Sequence, residues 1–207
     1  MNATGSGSAR AVAEGLEQLR SSRADQSMRA DARRNYDRLL AAAASAFAER
    51  GGDDVSLEEI ARRAGVGIGT LYRHFPTRAA LLEAVYQDQV EALGVLAGKL
   101  LTAESAGDAL GQWVRALVDF SLTKRGLSRE LIGDSPFLPI CKTLIADSSG
   151  ALLERAQRAG EARTDVTAGD VYRMSHGLVM AVSAGPSDPG MLDRLVSVVL
   201  AGLRPGE

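Results

Sequence analysis

The chain has 207 residues, with 24 Lys+Arg, 26 Asp+Glu, two His and one Cys, and 45% of it is hydrophobic. That length supports a buried core without disulfide staples, and one Cys with two His cannot assemble a Cys/His zinc cluster, so no metal or other cofactor is expected. No apolar run reaches the length of about 18 residues that a membrane span needs, and no secretory leader pattern opens the chain, so a cytoplasmic protein with no membrane partner is expected; the net charge of −2 shows no overall basic bias.

Residues 1–28 begin Asn2-Ala3-Thr4-Gly5-Ser6-Gly7-Ser8, a flexible composition, and the stretch 11–20 can form a short helix but is brief and only weakly periodic. A mobile arm is expected there. From Asp31 the pattern strengthens: Tyr36, Leu40, Ala43 and Phe47 recur at helical spacing, and Arg50-Gly51-Gly52 ends the run. A second helix starts at Ser56, where Ser56 and Glu59 form a capping box flanked by Val55 and Ile60 as a hydrophobic staple. Leu57, Ile60, Ala61 and Ala64 make its apolar stripe. A third short helix runs over 68–75, and Pro76 disfavours helix at Phe75 and closes it. Thr77 then offers an N-cap for a long fourth helix carrying Leu81, Leu82, Val85, Val90, Leu93 and Leu100. Further helices are expected around 108–123, 139–159, 168–183 and 189–203, with a pause at Lys124-Arg125-Gly126-Leu127 and a bend at Ser135-Pro136-Phe137-Leu138-Pro139. No strand-like alternation survives, so the fold class is all-α: a three-helix module at 29–80 and a larger helical domain at 81–207.

Two short helices joined by Ala64-Gly65-Val66-Gly67 match a helix-turn-helix. Gly65 can take the left-handed conformation that a β-carbon penalises, and Val66 is placed to plug the space between the helices. In that geometry the second helix enters the major groove while the first crosses the backbone. The run Gly65-Val66-Gly67-Ile68-Gly69 also mimics a dinucleotide-binding turn. A capped helix precedes it where that motif needs a strand, which excludes the reading.

The stretch 56–78, from Ser56-Leu57-Glu58-Glu59-Ile60-Ala61 through Thr70-Leu71-Tyr72-Arg73-His74-Phe75-Pro76-Thr77-Arg78, resembles the DNA-binding signature of TetR-family transcriptional regulators. The likeness covers residues 31–85. It implies a homodimer with a small N-terminal DNA-binding domain and a larger helical domain for effector binding and dimerisation. By that resemblance Thr70, Tyr72, Arg73 and His74 touch DNA. Hydroxyls at Thr70 and Tyr72 suit phosphate oxygens, His74 can donate a ring N–H, and Arg73 can fork onto a guanine edge or a phosphate. Ile68 and Gly69 stand near the helix start, one to meet a thymine methyl and one to permit close approach. Arg78 keeps the charge of a lysine that the family uses on phosphate, and Thr77 offers a backbone N–H there. Gly67 departs from the Ser or Thr cap common in the family, at a cost of only a few tenths of a kcal/mol. Leu71 and Phe75 are assigned to the core, and Arg62 and Arg63 to a solvated face from which one of them can reach a phosphate.

Residues 28–80 hold nine Arg and seven acids, a net of +2, whereas 81–207 carry −4. Trp113 to Leu131 is similar to the effector domain of SbtR-like members. That resemblance implies a pocket between the central helices. Trp113, Phe120, Phe137, Cys141, Met174 and Met180 are the candidate lining residues, and His176 is the candidate ionisable group. Val171, Leu178, Val179 and Val182, followed by Leu192, Leu195, Val196, Val199, Leu200 and Leu203, form a stripe wider than a monomer surface comfortably exposes. In the family this helix pair packs against its twin, which implies a roughly palindromic operator in double-stranded DNA. No nucleophile–base spacing or paired catalytic carboxylates appear, so no enzyme is expected. The expected function is a repressor released from its operator when a small-molecule effector moves the fourth helix. A constitutive or activating regulator without an effector would share the first 85 residues.

Overall fold

The computed structural model of the chain describes residues 3–23, 30–50, 55–127, 137–183, 188 and 190–206. Every regular element among them is an α-helix: α1 (Ala3–Arg23), α2 (Ala30–Arg50), α3 (Leu57–Ala64), α4 (Ile68–His74), α5 (Arg78–Leu100), α6 (Ala106–Leu127), α7 (Leu138–Arg158), α8 (Ala168–Ser183) and α9 (Met191–Leu203). The all-α reading therefore holds. No helix among the described residues is long and apolar enough to cross a membrane. The expected stop at Gly51-Gly52, the bend at Ser135-Pro136 and the start at Pro189 lie outside the described residues.

Helices α2, α3 and α4 close around Leu40, Ala43, Phe47, Ile60, Ala61, Leu71 and Phe75, all buried. The 23-residue α5 then runs out of this module, touching α1, α2, α6 and α7. It is apolar on most of its circumference, with Leu81, Leu82, Val85, Tyr86, Val90, Leu93, Ala97 and Leu100 buried, as a helix packed on several sides must be. Behind it, the Trp113 Nε1–H of α6 donates to Ser149 Oγ of α7 at 3.0 Å, and that hydroxyl donates to the Ile145 carbonyl at 2.7 Å. The chain thus gives its one tryptophan a polar partner inside the core. A smaller cluster of Val118, Leu178, Val179 and Val196 ties α6 to α8 and α9.

Two expectations are corrected. The expected pause at Lys124-Arg125-Gly126-Leu127 is absent, because α6 continues through Leu127. The expected mobile arm at 1–28 is, over Ala3–Arg23, a 21-residue helix seated on α5 and α7. Val12 and Leu19 are buried, and a Cβ on Gly94 of α5 would stand 2.6 Å from Leu16 Cδ2. Arg20 Nε lies 2.9 Å from Glu91 of α5. Leu16 meets Gly94 while Arg20 meets Glu91, so α1 runs antiparallel to α5 and leads back toward the three-helix module. Its glycines and serines lower intrinsic helicity, but Val12, Leu16 and Leu19 fall on one helical face. Burial of that face outweighs the propensity that made the segment read as loose.

This packing sets a stability expectation. Leu19→Ala should cost about 2–5 kcal/mol of unfolding free energy, whereas Arg10→Ala, on the solvent side, should stay within about 0.5 kcal/mol. Denaturant unfolding of the two variants checks this; equal stability would mean that α1 is not docked.

Candidate nucleic-acid interface

The helix-turn-helix is built by local hydrogen bonds. Ser56 Oγ accepts the Glu59 N–H at 3.1 Å and starts α3. The Glu59 carboxylate takes Arg63, which also reaches Glu49 of α2 at 2.9 Å. Arg63 is thereby an internal tie, and Arg62 is the exposed one of the pair. Gly65 sits at φ 67°, ψ 33°, and its N–H returns to the Arg62 carbonyl at 3.1 Å while the Val66 N–H reaches Ala61 O at 3.0 Å. That left-handed residue ends α3 and turns the chain. Val66 is half-buried against the core. Gly67 opens α4 with no side-chain cap, as its missing hydroxyl requires, and its carbonyl accepts the Thr70 N–H at 2.9 Å.

Helix α4 has seven residues and two opposed sides. Leu71 is fully buried, and Phe75, just past the helix end, packs on Tyr36 of α2 with ring centroids 5.1 Å apart. Ile68, Gly69, Tyr72 and Arg73 face outward together, with Tyr72 46% exposed, and Thr70 is half-exposed beside them. The Arg73 Nε–H donates to the Gly69 carbonyl at 3.3 Å, which steadies an exposed guanidinium on this face. A hydroxyl, a cationic fork, an apolar side chain and a glycine on one narrow helix suit a groove edge lined by phosphates and bases.

His74 is half-buried, its ring edge-on to Tyr36 at 5.9 Å. Burial, and then the charge of Arg73, hold its pKa below the ordinary histidine value. The imidazole is therefore neutral near pH 7 and offers one N–H rather than a charge. Thr77 Oγ1 accepts the Ala80 N–H at 3.1 Å and caps α5, as expected. Arg78, the residue expected at a phosphate, has a partner inside the protein. Its Nη1 donates to the Val55 carbonyl at 2.6 Å, and its guanidinium lies 5.6 Å from the Phe47 ring centroid. It is a half-buried strut joining α5 to the start of α3, because that carbonyl and ring lie within reach of its first turn.

The larger domain holds a cavity of about 290 Å³ lined by Tyr86, Lys142, Ile145, Ala146, Ser149, Ala168, Gly169 and Tyr172, from α5, α7 and α8. Burial pushes the Tyr86 phenol pKa up, so it stays protonated. None of the seven residues expected to line a pocket is in the lining of this cavity: Trp113, Phe120 and Cys141 are core, Phe137 is half-buried, and Met174, His176 and Met180 are exposed on α8. The expectation followed large apolar side chains, of which Trp113 and Phe120 are taken up by close packing while Met174 and Met180 face outward. A usable signal was present in α7, where 142, 145, 146 and 149 share one face at helical spacing. No cluster of His, Cys, Asp and Glu suited to a metal occurs among the described residues.

Residues 39–85 match the model of bacterial regulatory proteins of the tetR family, and residues 105–205 match the C-terminal domain of SbtR-like transcriptional regulators. Among solved structures, the chain is 38% identical to a TetR transcriptional regulator from Streptomyces coelicolor, covering 83% of this chain and 99% of that one at a TM-score of 0.72. A TetR transcription regulatory protein from Mycobacterium vanbaalenii is also 38% identical, with 86% and 99% covered and a TM-score of 0.66. A third neighbour, CprB of Streptomyces coelicolor in complex with its biological operator sequence, is 26% identical, with 84% and 90% covered and a TM-score of 0.60. An HTH-type transcriptional regulator from Staphylococcus aureus is 39% identical over 64 residues, 31% of this chain, and the chain spans 35% of that relative's length.

The depressed His74 pKa has a signed consequence. An unfolded imidazole takes up a proton near pH 6.5, whereas the folded one resists it, so the unfolded state binds more protons below that pH. Stability should fall as the pH drops from about 6.5 through the folded-state pKa. In His74→Gln this part of the loss should vanish; urea midpoints between pH 7.5 and 5 measure it.

Proposed function

The chain belongs to the TetR family of transcriptional regulators, and from that premise we propose that it is a cytoplasmic, sequence-specific repressor that binds a palindromic operator as a homodimer and leaves it when a small molecule binds. The observation that carries the reading is the outward face of α4: Ile68, Gly69, Tyr72 and Arg73 are free of the core because Leu71, Phe75 and the half-buried His74 anchor the other side. Arg73 supplies sequence discrimination or a phosphate contact, Tyr72 and Thr70 supply hydroxyls for phosphates, and neutral His74 donates one N–H.

The dimer surface is α8 with α9. Met174 and Met180 are each 52% exposed and Val198 is 67% exposed, an amount of apolar surface that pairing with a second copy would cover. The cavity between α5, α7 and α8 is the effector site. Tyr86, on its wall, lies on the same helix whose first turn holds α3 through Arg78 and Val55. A ligand that fits one setting of α5 better than another would change the spacing of the two α4 helices by that difference in affinity.

With a duplex that the full chain selects from genomic DNA, Arg73→Ala should lose about 1–3 kcal/mol of binding at fixed salt and relax the sequence preference. Unchanged affinity and preference would remove Arg73 from the interface. The logarithm of affinity should fall linearly with the logarithm of salt concentration as counterions are released. Sedimentation at micromolar concentration should give a dimer, and Val198→Glu should give a folded monomer with helical circular dichroism intact. A wild-type monomer would overturn the proposed dimer.

A further inference from the structure

Three properties of the α5–α7–α8 cavity narrow what it can hold. Its volume of about 290 Å³ is at the low end of the range for small-molecule pockets, too small for a nucleotide or a peptide. Its walls are mostly apolar or aromatic, from Tyr86, Ile145, Ala146, Ala168 and Tyr172, with few polar groups to satisfy a sugar or polyol. Lys142 is the one charged lining residue among the described residues, and it is exposed, so the charge stands at the opening. The nearest acid along α8, Asp170, accepts the Thr167 hydroxyl at 2.7 Å and lies 3.6 Å from Arg173, so it is engaged outside the cavity. Among the described residues the lining has no carboxylate to pair with a cationic ligand.

We infer that the cavity takes a small organic monoanion: a flat apolar body between the tyrosine-bearing helices, with its carboxylate at Lys142. The assignment rests on the effector reading above and specifies its chemistry. An apolar body replaces water against the cavity walls. The carboxylate stays at the opening, half-solvated, and meets an ammonium there without the cost of burying an unpaired charge. A neutral ligand of the same shape would fill the same walls but gain nothing from Lys142.

Calorimetry on the full chain with 2-naphthoate and its neutral isostere 2-naphthamide tests this directly. The acid should bind about tenfold more tightly than the amide. Lys142→Met should bring the acid down to the amide's affinity while leaving the amide unchanged. Trp113 reports the place, since its indole donates to the lining residue Ser149: its emission should change on binding, and Ala146→Leu at the opening should weaken both probes. Equal affinities in the parent protein, an acid preference that survives Lys142→Met, binding without a Trp113 response, or no binding of either probe would each overturn the assignment. Release of the selected duplex by the acid is a separate measurement. Its failure, with the Lys142-dependent preference intact, would refute the effector reading and leave the ligand class standing.

Discussion

A helix of seven residues cannot hold itself together in water, because isolated helices shorter than about 12–15 residues are marginal even with favourable composition. Everything that α4 presents to the outside therefore depends on what it buries. Leu71 points into the module and Phe75 packs on Tyr36, and between them they fix the rotation and depth of the helix. The Gly65 turn sets its direction relative to α3, and the Arg78–Val55 bond ties α3 to the next helix. The exposed face of Ile68, Gly69, Tyr72 and Arg73 is what remains after that anchoring.

The same logic extends along α5. At about 1.5 Å per residue its 23 residues span roughly 35 Å, long enough to start beside α3 and end deep in the second domain. One end carries the Arg78 strut, a middle turn carries Tyr86 of the cavity wall, and farther on Gly94 receives Leu16 of α1. A helix packed on several sides moves as a rod or not at all, since close-packed interiors do not deform continuously. The docking of α1 gives the chain a second element running antiparallel to that rod.

Charge is informative here by position rather than by sum. The module at 28–80 has a net charge of only +2, yet its arginines are sorted by partner. Arg63 is held by Glu49 and Glu59, Arg78 by Val55 and Phe47, and Arg73 is exposed on the outer face of α4. An overall charge of −2 coexists with an exposed guanidinium on the outer face of α4. Counting charges treats these arginines as equivalent; their hydrogen bonds do not.

The sequence by itself determined the elements whose causes are local. Ser56, Gly65, Pro76 and Thr77 act on neighbours one to four residues away, so α3, the turn, α4 and the start of α5 were legible, as were the burial of Leu71 and Phe75 and the outward side of Tyr72 and Arg73. Tertiary structure decided whatever depends on distant partners. Whether Val12, Leu16 and Leu19 stay solvated or fold into a helix depends on a groove that α5 and α7 supply. Whether the Arg78 side chain extends into solvent or turns onto a carbonyl depends on where Val55 lies, 23 residues earlier. Which side chains line the cavity depends on which ones packing has already used, so Trp113 and Cys141 became core while Lys142, Tyr86 and Tyr172 were left at the space. Periodicity identifies the side of a helix that is buried; only the assembled helices determine what it is buried against.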